Sequence, residues 1–177
     1  NLCNGSPAAD SVPALIAAEA RAVIASGDGS RTIAVADVVT GPGQTSLADG
    51  EFIVEFEIDD VPANTGDAYL RMIPRTEMDI AVVGAAVRLT MDGDTVSDAR
   101  VVLAAVAPTA VRVPDAEAAL VGSTLDDNTL AAVSAAAAAA CNPIDDKRGT
   151  IEYRTQVAGV LAKRAAVIAA NRAQNGA

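Results

Sequence analysis

The sequence predicts an α+β protein. Three observations carry that class. Two pairs of short apolar runs each close around an Asp-Gly pair, as β-hairpins do. Residues Phe52–Ile58 alternate apolar and acidic side chains, as a strand does. Ala-rich segments with helical spacing fill the last third of the chain. Hairpins followed by a run of helices give an antiparallel sheet backed by a helical layer, not alternating βαβ units.

Taken in order, Ser11-Val12-Pro13 opens an Ala/Leu/Ile run to Ala20, with Ser as N-cap and Pro in the first turn of a helix. Arg21–Ala25 and Arg31–Val35 flank Ser26-Gly27-Asp28-Gly29-Ser30, the first hairpin. Thr40-Gly41-Pro42-Gly43 reads as a loop. Phe52, Val54, Phe56 and Ile58 set against Glu55 and Glu57 give a half-exposed strand, with Ile53 the exception to the alternation. Ala68–Ile73 is a further strand. Ile80–Met91 and Val96–Ala107 flank Asp92-Gly93-Asp94-Thr95, a longer hairpin whose apolar runs need cover on both faces.

Three helices complete the chain. Asp115–Val121 follows Pro114. Asp127–Ala140 holds six consecutive Ala, the best helix formers, and stops at Asn142-Pro143. Thr150–Asn171 places Val157, Val160, Leu161, Val167 and Ile168 at helical spacing. Lys163, Arg164 and Arg172 in its last half oppose the negative end of the helix dipole.

Composition narrows the function. The 177 residues carry a net charge of −10, which argues against a nucleic-acid binder. His is absent, removing Ser-His-Asp and Cys-His catalysis and every His-based metal site. Apolar residues are 51% but aromatics only 2%, so core volume comes from Ala and Val, and stacking platforms are scarce. Residues 1–74 hold 3 basic and 11 acidic groups, residues 75–177 hold 10 and 12. That shift at Pro74 marks an expected domain boundary, giving units 1–74 and 75–177.

The longest apolar stretches, Ile80–Val87 and Ala131–Cys141, fall short of the ~20 residues a bilayer span needs. The chain's opening residues lack the charged-then-apolar pattern expected of a signal peptide. It begins with Asn1 rather than Met, the expected mark of a longer reading frame or of cleavage. Cys3 and Cys141 are too far apart for a local metal or redox motif. Reduced thiols and a long-range disulfide both remain open.

The carboxylate pairs Asp59-Asp60, Asp92/Asp94, Asp126-Asp127 and Asp145-Asp146 sit at turns or helix starts, where Asp accepts backbone hydrogen bonds. Asp92-Gly93-Asp94 lacks the other ligands of a calcium loop. The Ala run reads as helix packing or a partner interface.

The unusual segment is Asn1-Leu2-Cys3-Asn4-Gly5-Ser6-Pro7-Ala8-Ala9-Asp10, a polar Gly/Pro loop feeding a helix start. Backbone N–H groups there favour anions such as phosphate, although a bland capped turn reads the same way. With Thr40-Gly41-Pro42-Gly43, Gly50-Glu51-Phe52-Ile53, Tyr69-Leu70-Arg71, Arg75-Thr76-Glu77-Met78-Asp79-Ile80-Ala81, Asp146-Lys147-Arg148-Gly149-Thr150 and Tyr153-Arg154, the chain resembles the FAD-binding medium subunit of the molybdenum hydroxylases, the xanthine dehydrogenase and aerobic carbon monoxide dehydrogenase family. The likeness runs over essentially the whole chain.

The resemblance implies the second half of an FAD-binding (PCMH-type) domain, residues 1–74, followed by a C-terminal domain of antiparallel sheet packed on helices, residues 75–177. It implies an oxidoreductase subunit, not catalytic on its own, that takes electrons from iron–sulfur clusters to FAD and on to an acceptor. Asn1, Cys3 and Asn4 would line the flavin side of the pyrophosphate loop. Asp10 would accept hydrogen bonds from the cofactor, and Ile53 would pack on the flavin ring. Arg71 falls where the family often has Lys, beside the isoalloxazine; the charge is kept and its shape changed. The family's earlier FAD subdomain is not in this sequence, so the FAD site here is expected to be partial. The implied partners are that N-terminal subdomain, a small subunit with two-iron two-sulfur clusters and a large subunit with the molybdenum cofactor, in a cytoplasmic dimer of heterotrimers. Two other readings stand beside it: a scaffold that docks these partners without FAD, and an unrelated Ala-rich interaction domain.

Overall fold

A computed structural model describes residues 2–75 and 79–175, and its elements are those of an α+β protein. A loop from Leu2 leads into helix α1 (Ser11–Ala17). Then come β1 (Arg21–Ser26), β2 (Gly29–Ala34), a 3-10 turn (Val35–Asp37), β3 (Val39–Gly41), β4 (Gln44–Thr45) and β5 (Phe52–Glu57). The rest is β6 (Thr65–Met72), β7 (Val83–Asp92), β8 (Thr95–Ala104), β9 (Val111–Arg112), α2 (Pro114–Leu120), α3 (Asp127–Ala139) and α4 (Ile151–Asn175).

Both hairpins form, each with its turn shifted by one residue from the Asp-Gly pair. Ser26 pairs with Gly29 across Gly27-Asp28, and Asp92 pairs with Thr95 across Gly93-Asp94. Helix α1 ends three residues before Ala20 because Glu19 enters the left-handed region at φ 56. The Glu19 and Ala20 N–H groups then close back on Ile16 and Leu15, a left-handed helix stop made without glycine. Asp10, not Ser11, stands at the N-cap position, and its side chain makes no capping bond.

The sheets are antiparallel, with orders β2-β1-β5 and β6-β7-β8-β9, and β3-β4 as a small pair. Strand β6 lies before Pro74 yet pairs along its whole length with β7, from Thr65↔Thr90 to Met72↔Val83. The sheet pairing thus crosses Pro74, where charge marked the expected boundary.

The four-stranded sheet is covered on both faces, and period-2 alternation sorts its residues. Val83, Ala85, Val87, Leu89 and Met91 join the main core with α2, α3 and α4. Ala86 and Val102 point the other way and pack with Ala17 of α1. Helix α4 presents Ala158, Ala162, Ala165, Ala166, Ala169 and Ala173 to the sheet. Methyl-sized side chains let the backbones approach so closely that a Cβ on Gly66 of β6 would collide with the Ala169 carbonyl and the Ala173 N–H. Ala-for-Leu economy in the sequence is thus a packing geometry.

In β5 the simple alternation is broken. The register with β1 slips between Val23 and Ile24: Val23 opposes Glu55 and Ile24 opposes Ile53, leaving Val54 as a bulge. Opposed residues share a face. Ile53 and Phe56 therefore lie on the side of buried Ile24 and Ala22, and Phe52 lies on the side of Ala25. Phe52, Val54 and Phe56 all remain exposed on this edge strand.

Candidate functional site

The opening loop is tied down rather than free. The Gly43 N–H donates to the Gly5 carbonyl at 3.0 Å, and the Ala105 N–H donates to the Pro7 carbonyl at 2.8 Å. Within the loop, Gly5 N–H bonds to Leu2 and Ala9 N–H to Ser6. Gly5 is buried at φ +58, and a Cβ there would stand 2.7 Å from the Gln44 nitrogen. Only glycine meets both demands. Leu2 is buried in the N-terminal core, while Cys3 and Asn4 are exposed. The N–H groups of Cys3, Asn4 and Ser6 have no acceptor among the described residues. Asn1 lies outside those residues.

Asp10 and Arg71, 61 positions apart, meet as an ion pair: Arg71 Nη1 donates to Asp10 Oδ2. Tyr69, two residues before Arg71 on β6, donates its hydroxyl to Asp10 Oδ1 at 2.9 Å. The α1 start and β6 thus deliver three polar groups to one point, because α1 packs across β6, β7 and β8. Burial first, then Asp10, pushes the Tyr69 phenol well above its ordinary range. Ile53 is half-buried against the cluster that contains Leu2, Ala9 and Val12. It stands beside the loop's base, not in the Asp10–Tyr69–Arg71 group.

A second wall comes from the C-terminal part. Arg154, 4% exposed, donates to the Val82 carbonyl at 2.6 Å, to Asp146 at 2.7 Å and to the carbonyls of Ala105 and Gly149. Asp79, whose side chain is 7% exposed, takes Arg75 and Arg148. Burial pulls its carboxyl up, but the Ile80 N–H, Arg148 and Arg75 outweigh that and hold it below the usual range. Above this network a cavity of about 300 Å³ separates Pro7, Ala8 and Pro42 from Ile80, Pro143 and Ile144. Cys3, Asn4, Asp10, Ile53 and Arg71 do not line it.

Two of the carboxylate pairs, Asp126-Asp127 and Asp145-Asp146, cap backbone N–H groups, whereas Asp59 forms an ion pair with Arg21. Asp126 accepts the Thr129 N–H at 2.7 Å, and Asp146 accepts the Arg148 N–H at 2.8 Å. Both cysteines are free. Burial pushes the Cys141 thiol up to about 11, so it stays protonated at neutral pH. No helix among the described residues is long and apolar enough to cross a membrane.

A loop locked by buried Gly5, with N–H groups that have no acceptor among the described residues, ends on a carboxylate–guanidinium pair in front of an antiparallel sheet, an arrangement that could hold a polar ligand. Family models place it further: residues 1–60 match the FAD binding domain in molybdopterin dehydrogenase, and residues 68–169 match the CO dehydrogenase flavoprotein C-terminal domain. The chain belongs to the family of FAD-binding medium subunits of the molybdenum hydroxylases. It is 34% identical to the carbon monoxide dehydrogenase medium chain of Hydrogenophaga pseudoflava, over 93% of this chain and 57% of that one. It is 37% identical to the medium chain of Afipia carboxidovorans, over 99% of this chain and 60% of the relative. The xanthine dehydrogenase FAD-binding subunit of Escherichia coli O157:H7 is 30% identical over 93% of this chain and 56% of its own length. Among solved structures, carbon monoxide dehydrogenase from Hydrogenophaga pseudoflava superposes with a TM-score of 0.92 at 37% identity, covering 97% of this chain and 59% of that one. Quinoline 2-oxidoreductase from Pseudomonas putida 86 gives 0.89 at 30% identity, with the same coverage. The chain thus spans about three-fifths of these relatives' length.

Sequence reasoning named Asp10 and Arg71 separately and missed what joins them. Tyr69 lay inside a quoted motif but without a role, and Arg154 likewise. The available signal was their type: a phenol beside a site cation, and an arginine on an otherwise apolar helix face, both needing partners.

Proposed function

We propose that this chain is the flavin-holding, electron-transfer part of a molybdenum-containing hydroxylase or dehydrogenase, passing electrons from iron–sulfur clusters to FAD and on to an acceptor. The observation that carries the reading is the loop Leu2–Asp10, locked by Gly5 and ending on the Asp10–Arg71 pair. Those residues fit the group. The N–H groups of Cys3, Asn4 and Ser6, without an acceptor among the described residues, suit phosphate oxygens. Arg71 and Asp10 offer a donor fork and an acceptor to a heteroaromatic edge. Bound FAD supplies the redox chemistry.

The protein's own contribution is placement. Gly5 and the Gly43 bond fix the loop; the Ala105–Pro7 bond couples it to the C-terminal sheet. Ile53 gives the base of the site an apolar surface that excludes water from that side. Arg71 supplies a fixed positive charge, moderated by Asp10. In this reading the partners are an iron–sulfur small subunit and a molybdenum large subunit in the cytoplasm, assembled as a dimer of heterotrimers. Additional chain of the kind the longer relatives possess completes the cradle.

The test is the flavin content of the purified assembly. Asp10→Ala and Ile53→Ala are expected to lower it, and Asp92→Ala, at the tip of the β7–β8 hairpin, to leave it unchanged. Iron–sulfur bands without flavin in the unsubstituted assembly would instead support a scaffold that docks partners without FAD.

A further inference from the structure

We propose that Tyr69 is a positioning residue of the flavin site, acting through Asp10 to set how much of the Arg71 charge a bound flavin feels. This rests on the functional reading above.

The geometry is specific. Asp10 occupies an N-cap position but does not cap α1; both carboxylate oxygens turn instead to β6, Oδ1 to the Tyr69 hydroxyl and Oδ2 to Arg71. The phenol has a place built for it. Gly84 on β7 stands beside Tyr69, and a Cβ there would come within 2.8 Å of the Tyr69 oxygen. The ring packs with Ala17, Ala86 and Val102, all buried. Of the two tyrosines in the chain, Tyr69 is the one that joins the core. Burying a hydroxyl is costly unless it is bonded, and here the bond goes to a carboxylate, a stronger acceptor than a neutral oxygen.

The consequence is electrostatic. A flavin gains negative charge on reduction, so Arg71 favours the reduced form and Asp10 opposes it. A hydroxyl donated to Asp10 draws charge off the carboxylate and holds its plane. Less of the Arg71 charge is then compensated. Removing the hydroxyl while keeping the ring returns that charge to Asp10 and makes reduction harder.

Two measurements test this. In the flavin-loaded assembly, Tyr69→Phe is expected to retain flavin and shift its midpoint potential downward, while Asp10→Asn shifts it upward. In the flavin-free chain, Tyr153→Phe leaves Tyr69 as the one tyrosine and no Trp is present. A phenol donating to a carboxylate is quenched, so adding Asp10→Asn to that background is expected to raise tyrosine emission. Unchanged emission overturns the contact, even if Tyr69→Phe fails to load flavin. An unmoved potential in Tyr69→Phe, with Asp10→Asn and Arg71→Met both shifting it, overturns the positioning role and leaves the flavin reading standing. If none of the three changes flavin content or potential, the flavin reading itself falls, and this role with it.

Discussion

Ala105, at the end of strand β8, donates its N–H to the carbonyl of Pro7 at 2.8 Å, across 98 positions of sequence. It does so from the left-handed region, at φ 63, which an alanine adopts only at a cost. Its own carbonyl accepts from Arg154. One strained residue therefore links the opening loop to the buried arginine of α4, and the predictions below begin there.

Ala105→Gly is expected to hold or raise stability, by up to ~1 kcal/mol, since relief of the left-handed strain outweighs glycine's extra unfolded-state entropy. Ala105→Val is expected to lose ~2 kcal/mol, because a branched Cβ fits that region worst. Urea unfolding of the two variants checks the pair. A destabilised glycine variant would show that the strain assigned to Ala105 is not there.

Arg154→Met is expected to cost ~3 kcal/mol. It leaves the Val82 carbonyl without its charged donor and Asp146 without the closer of its two ion pairs, Arg148 remaining at 3.9 Å. Arg154→Lys is expected to recover little, since a single ammonium cannot reach acceptors just before β7, just after β8 and in the 146–149 turn together. Thermal unfolding gives the size. Hydrogen exchange gives the site: protection of the Ala105 amide is expected to fall with the arginine.

Gly66→Ala is expected to destabilise by ~3 kcal/mol, at the upper end of overpacking costs, because the new Cβ meets α4 backbone that cannot move alone. Gly93→Ala at the β7–β8 turn has open space around it and a φ of +58, so about 1 kcal/mol is expected. Equal losses in the two variants would contradict the close approach of β6 and α4.

The Arg31–Glu51 pair sets an acid response. Arg31, then the Ala48 N–H, hold the Glu51 carboxyl at about 2, from an ordinary 4.5. A depressed folded-state value contributes stability above the unfolded value, and that contribution fades as pH falls from about 4.5 to about 2. The difference in melting temperature between the unsubstituted chain and Glu51→Gln is expected to shrink across that window and stay constant above pH 5.5. A difference independent of pH would detach the pair from stability.

How much of this was legible beforehand differs by element. Helices α2, α3 and α4, both hairpins and the strand at Phe52 follow from local rules: Pro at a helix start, Ala propensity, apolar period, and turn residues between apolar runs. Asp10 and Arg71 were singled out only through resemblance to a family, since neither has a local pattern that marks it. The bulge at Val54 escaped because alternation counts residues and cannot see a register slip, which the partner strand imposes. Strand β6 was recognised as a strand but its partner was not, because charge composition marks surface, whereas pairing is chosen by backbone hydrogen bonds with β7.

By itself, then, the sequence determined the helices and the longer strands, the small-residue core and the absence of histidine chemistry, all of which depend on residues near in sequence or on their totals, but not the short β3–β4 pair, which reads as a loop, nor β9. Tertiary structure alone decided that Asp10 meets Tyr69 and Arg71, that Ala105 bends to reach Pro7, and that Arg154 satisfies three separate segments. Most of these contacts join positions distant in sequence, through polar groups that need partners. Such groups must be bonded somewhere, but which partner closes the bond is fixed by how α1 and α4 cross the sheet, and no local preference encodes that crossing.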